Sequence, residues 1–129
     1  MQVDRRTFLQ SLGVITVAPY LAPQEPTAMY GIIAKLIIAP GKRDEMIAIL
    51  KDSTANMPGC LSYVVAKDVA DENTLWITEV WDSAASHEAS LSLPAVKNAI
   101  PQAKGLMAGF EKVAATTPVW GANLPVPVH

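Results

Sequence analysis

A single α+β domain built on one antiparallel sheet is the fold class this sequence predicts, on three observations. The 129 residues leave room for one compact domain and little else, since domains usually run ~100–200 residues. Beyond residue 28, short β-branched-rich or alternating apolar stretches take turns with segments whose apolar residues recur at the helical period. The breaks between them fall at turn formers, Pro40-Gly41, Pro58-Gly59 and Asp71-Glu72-Asn73.

Met29 to Ile38 is a ten-residue apolar run that ends at Pro40-Gly41, the pattern of a strand buried on both faces. A helix opens at Gly41-Lys42, with Arg43-Asp44-Glu45 as its charged first turn. Met46, Ile47, Leu50, Thr54 and Met57 carry its apolar face as far as Pro58-Gly59. Leu61 to Lys67 alternates, Leu61, Tyr63 and Val65 against Ser62, Val64 and Ala66, and reads as a second strand. A third strand spans Thr74 to Trp81. Leu75, Ile77, Glu79 and Trp81 share one of its faces, and Trp76, Thr78 and Val80 the other. Asp82 or Ser83 caps a second helix, Ala84 to Ser92. Pro94 suits the first position of a third, which runs through Val96 and Ile100 until Pro101 interrupts it. Phe110 to Val119 forms the last strand, and the tail from Trp120 is apolar without a period.

The order β-α-β-β-α-β is that of a ferredoxin-like sandwich, with helices on one face of the sheet. The strands offer apolar residues on the other face too, and a partner subunit is the simplest cover. A net charge of −2 and a pI near 5.6 argue against nucleic-acid binding. Two histidines, one of them the terminal His129, make a multi-His metal site hard to build. The lone Cys60 has no intrachain partner and reads as a small buried hydrophobe at the start of a strand.

Residues 1–28 stand apart from this domain. Arg5-Arg6-Thr7-Phe8-Leu9 resembles the twin-arginine export motif, followed by a moderately apolar stretch to Ala22. Pro19, Pro23 and Pro26 make the junction an extended linker. The expectation is therefore a leader over 1–28, a domain over 29–119 and a tail over 120–129. It includes export to the periplasm, with cleavage near Ala28 or an uncleaved tether. No apolar run reaches the ~18–20 residues of a spanning helix.

Three motifs in order carry a family resemblance: Pro40-Gly41-Lys42-Arg43-Asp44-Glu45, Pro58-Gly59-Cys60-Leu61-Ser62-Tyr63, and Glu79-Val80-Trp81-Asp82-Ser83 with Leu93-Pro94-Ala95-Val96 behind it. Residues 30 to about 119 resemble the antibiotic biosynthesis monooxygenase family of dimeric α+β barrels. The resemblance implies a homodimer with sheets face to face and a pocket between each sheet and its own helices. Its members include quinol and anthrone monooxygenases that use neither metal nor flavin, haem-degrading enzymes, and proteins of unknown activity. Many members carry a histidine where this chain has Ser90. His87 stands where anthrone-oxygenating members often carry a tyrosine, and Ile77 where they carry an asparagine. The first strand lacks the asparagine of the haem-degrading branch.

Cofactor-free oxygenation needs a protein that deprotonates a phenol, holds it and excludes water. His87 is the candidate base, because its unperturbed pKa lies near neutrality and helical spacing points it at the sheet. Trp81 either walls the pocket or is plain core. Glu79, a carboxylate on an apolar strand, needs a partner and is either a structural acceptor or a catalytic acid. Tyr63 and Trp76 belong to the pocket or to the dimer surface. Two functions follow. One is a cofactor-independent monooxygenase acting with dioxygen on a quinol or polyphenol; the other is a non-catalytic dimeric module that binds a small aromatic ligand. Neither invokes a cofactor, a metal or a nucleic acid.

Overall fold

Strand β1 (Tyr30–Ile38) is the one on which the sheet is assembled, antiparallel to β3 (Thr74–Trp81) on one side and to β4 (Met107–Thr116) on the other. Strand β2 (Cys60–Lys67) completes the order β2-β3-β1-β4. The computed structural model describes residues 28–125. The leader, its twin-arginine motif and the end of the tail, including His129, lie outside the described residues. Helices α1 (Arg43–Ser53), α2 (Ala84–Ser90) and α3 (Pro94–Leu106) fill the connections. The fold is the ferredoxin-like α+β arrangement.

The core lies between the sheet and its helices. Ile32, Ala34, Leu36 and Ile38 of β1, Leu75 and Ile77 of β3, and Met46 of α1 form one buried cluster. On that face of β1, Ile32, Ala34, Leu36 and Ile38 are all buried. Ile33, Lys35 and Ile37 on its other face are half-buried, because among the described residues no helix covers that face.

Several boundaries differ from the sequence pattern, each for a local reason. Helix α1 stops at Ser53 rather than near Met57. The Thr54 amide (3.1 Å) and hydroxyl (2.7 Å) both donate to the Leu50 carbonyl and close the last turn. Ser83 is the cap of α2, its Oγ accepting from the Ser86 amide at 3.1 Å. The helix gives way after Ser90 to tighter turns, in which Leu91, Ser92 and Leu93 donate to Glu88, Ala89 and Ser90. Pro101 does not interrupt α3, which continues to Leu106. It sits on an exposed turn, where water can solvate the carbonyl its missing N–H leaves free. Strand β4 starts at Met107 and ends at Thr116, ahead of Pro118, because Met107 already pairs with Ile38.

Strand β2 contains the irregularity that matters most for the site. Cys60 pairs with Trp81 and Tyr63 with Glu79, so one extra residue, Leu61, is accommodated as a bulge. Without it Cys60 and Tyr63 would face opposite sides of the sheet. With it both face the helices.

Candidate active site

The alternation along β3 places Glu79 and Trp81 on the helix-covered face beyond Leu75 and Ile77. Trp81 is only 1% exposed. Its indole Nε1–H donates to Glu79 Oε1 at 2.8 Å, a bond between two residues of the same strand face. A hydrogen bond to a charged group contributes ~1.5–3 kcal/mol, which offsets much of the cost of half-burying the carboxylate.

His87 of α2 lies over this pair. Its ring centroid is 5.5 Å from that of Trp81, edge to face, and 5.6 Å from that of Tyr30. Tyr30 is the β1 residue directly paired with Trp81, so two aromatic side chains lie side by side beneath the imidazole. One turn on, Ser90 is buried and its hydroxyl donates to the His87 carbonyl at 2.6 Å. Gly59 lets β2 begin close to α2. It has φ +85°, and a Cβ there would lie 2.5 Å from the Ser86 side chain.

Across the sheet, Tyr63 and Cys60 adjoin the same carboxylate. Burial, then the charge of Glu79, then Cys60 push the Tyr63 phenol well above its ordinary value. The Cys60 thiol is raised by burial first; a hydrogen bond from the Ser62 backbone opposes this and the charge of Glu79 adds to it. Both groups are therefore protonated donors at neutral pH, beside one carboxylate acceptor.

The site thus joins His87, Trp81, Glu79 and Tyr63 and excludes Trp76. Trp76 belongs to the opposite, uncovered face, where its Nε1–H donates to Asp68 Oδ1 at 2.8 Å. Lys35 Nζ lies 5.6 Å from the centre of its ring. The indole bond, followed by the Asp71 and Ala70 amides, holds the Asp68 carboxyl down at about 2. Tyr30 is not a site candidate from the sequence, and Cys60 reads there only as a small buried hydrophobe; the structure half-exposes it beside the site. The register of β1 on β3 identifies Tyr30, and only the Leu61 bulge identifies Cys60. Among the described residues no group of three or more His, Cys, Asp or Glu side chains is placed to hold a metal ion. No described helix is long and apolar enough to cross a membrane.

Sheet order and helix placement define an α+β ferredoxin-like domain with a small ionisable and aromatic cluster between sheet and helix. The antibiotic biosynthesis monooxygenase family model matches residues 29–102, and the chain belongs to that family. A candidate antibiotic biosynthesis monooxygenase from Chloroflexus aurantiacus J-10-fl is 51% identical. The match covers 76% of this chain and 100% of that one, with a TM-score of 0.73. A second candidate, from Caulobacter crescentus CB15, is 24% identical over 74% of this chain and 93% of its own, with a TM-score of 0.64. SnoaB, a cofactor-independent oxygenase from Streptomyces nogalater, shares the fold at 14% identity, 74% and 98% coverage and a TM-score of 0.62. No curated protein matches the chain.

The raised Tyr63 phenol has a consequence for stability. A group kept neutral in the folded state stabilises it fully below its unfolded pKa of about 10, and that contribution is lost as pH rises beyond it. Tyr63→Phe is therefore expected to move alkaline unfolding to higher pH, read by circular dichroism. Appearance of the Tyr63 phenolate absorbance near pH 10 in the still-folded protein would contradict this.

Proposed function

We propose that this protein is a cofactor-independent monooxygenase acting on a quinol or polyphenol. The observation that carries the reading is the His87 imidazole seated on Trp81 and Tyr30 within a domain of this family. SnoaB, described as a cofactor-independent oxygenase, shares the fold and makes the chemistry a precedent for it.

In this mechanism His87 takes the phenolic proton of the bound quinol. The phenolate passes one electron to dioxygen, and the radical pair combines at a ring carbon to give a hydroperoxide. Loss of water leaves one oxygen atom on the ring, so quinol and dioxygen give hydroxyquinone and water. Trp81 and Tyr30 supply the aromatic wall, and the Tyr63 hydroxyl supplies a donor for a substrate hydroxyl. Trp76, on the other face of the sheet, is assigned to contact with a second copy of the chain. The homodimer in this proposal buries Ile33, Ile37, Val64 and Val80 together with Trp76, and the apolar tail from Trp120 crosses onto the partner.

An oxygen-electrode screen over a small panel of quinols and anthrones tests the chemistry. Dioxygen uptake is expected, and His87→Ala is expected to lower kcat by ~10²–10⁴-fold, the usual contribution of a general base. Silence across the panel, with an aromatic ligand bound tightly by calorimetry, would instead establish the binding-module function. Activity indifferent to His87→Ala would remove His87 as the base.

The leader carries a second proposal, export to the periplasm by the twin-arginine route, supported by Arg5-Arg6-Thr7-Phe8-Leu9. Replacing Arg5 and Arg6 together with Lys is expected to leave the protein in the cytoplasm. An unchanged periplasmic yield of the double variant would contradict it.

A further inference from the structure

His87 is held from two directions. Its backbone carbonyl accepts the Ser90 hydroxyl at 2.6 Å, while its ring rests against Trp81 and Tyr30. An edge-to-face contact depends on the orientation of both rings, so a turn of the indole displaces the imidazole. The Trp81 indole has one polar anchor, the 2.8 Å bond from Nε1–H to Glu79 Oε1. Charge-assisted bonds of this kind are short and roughly twice as strong as neutral ones. Glu79 is in turn fixed by its place on β3, between Tyr63 on β2 and Ile32 on β1.

The geometry points to Glu79 as a positioning residue, whose carboxylate clamps the Trp81 indole and thereby sets the ring on which His87 is seated. This rests on the reading of His87 as the base. Among ionisable groups, the Tyr30 ring of β1 adjoins the imidazole, while Cys60 and Tyr63 of β2 and Glu79 of β3 share the sheet face of Trp81. Of these, Glu79 is the carboxylate bonded to a ring that His87 touches. The role needs an acceptor oxygen at this position rather than a proton transfer. It therefore separates Glu79 from a catalytic acid, which would have to ionise during turnover.

The test compares Glu79→Gln, which keeps an acceptor oxygen, with Glu79→Leu, which removes it, in the ¹⁵N-labelled full chain. Trp81→Phe assigns the Trp81 indole N–H resonance by its disappearance. In Glu79→Gln the indole N–H should stay protected from exchange, the His87 ring-proton shifts should stay near wild type, and kcat should hold within about threefold. In Glu79→Leu the indole N–H should exchange freely and the His87 ring shifts should move. Here kcat should fall by ~10–100-fold with little change in KM, the scale of a misplaced catalytic group. Glu79→Thr, too short to reach the indole, gives the same reading if the Leu variant does not fold. Unchanged His87 ring shifts in the variants lacking the acceptor would overturn the assignment, whatever the turnover. Equal loss of kcat in Glu79→Gln and Glu79→Leu would overturn it too, because the role requires only the acceptor oxygen that Gln keeps. A wild-type chain that oxidises no quinol would overturn the functional reading while the resonance arm still decides this one.

Discussion

Because successive residues of β3 point to opposite faces of the sheet, Glu79 and Trp81 are committed to the side that Leu75 and Ile77 bury. A carboxylate on that side has to find a donor. It finds one two residues along its own strand, in the indole N–H of Trp81. The bond fixes the indole, the indole carries the imidazole of His87, and burial, with the charge adding to it, raises the Tyr63 phenol and the Cys60 thiol. Moving β3 by one residue would send all of this to the open face and bring Trp76 inward. Such a slip would bring Trp76 and Thr78 to the side where Leu75 and Ile77 now pack, so the core itself holds the register.

The open face follows from the same alternation. Trp76 presents its ring there, with its N–H bonded to Asp68 and the Lys35 ammonium over its face. Glu111 of β4 pairs with Lys35 from the other side of β1. These polar groups adjoin the apolar side chains of Ile33, Ile37, Val64 and Val80. In the proposed homodimer these apolar side chains meet a second copy of the chain.

Much of the fold was legible in the sequence because single local signals decided it. The eight residues of β3 have the alternation and the bounds that the pattern predicted. The Ser83 cap and Pro94 at the start of α3 sit where their chemistry places them. What escaped depends on contacts between distant segments. The Leu61 bulge exists because β2 must meet β3 in a register that serves both Cys60 and Tyr63, and no residue in β2 announces it. The passage of α3 through Pro101 depends on which side of that helix faces water. Tyr30 becomes part of the site only when β1 is laid beside β3, which puts it opposite Trp81. His87, one helical turn before a buried serine, was legible from side-chain spacing because both its neighbours and its direction are local.

The central claim is that the two faces of one sheet have separate tasks, the helix-covered face for a ligand and the open face for a second copy. The indole N–H resonances of Trp81 and Trp76 report on these faces separately. Titration of the ¹⁵N-labelled full chain with hydroquinone under anaerobic conditions, followed by serial dilution, reads both. The account predicts that hydroquinone shifts the Trp81 resonance and leaves Trp76 in place, while dilution shifts Trp76 and leaves Trp81 in place. Hydroquinone acting on Trp76 with Trp81 unmoved would contradict it.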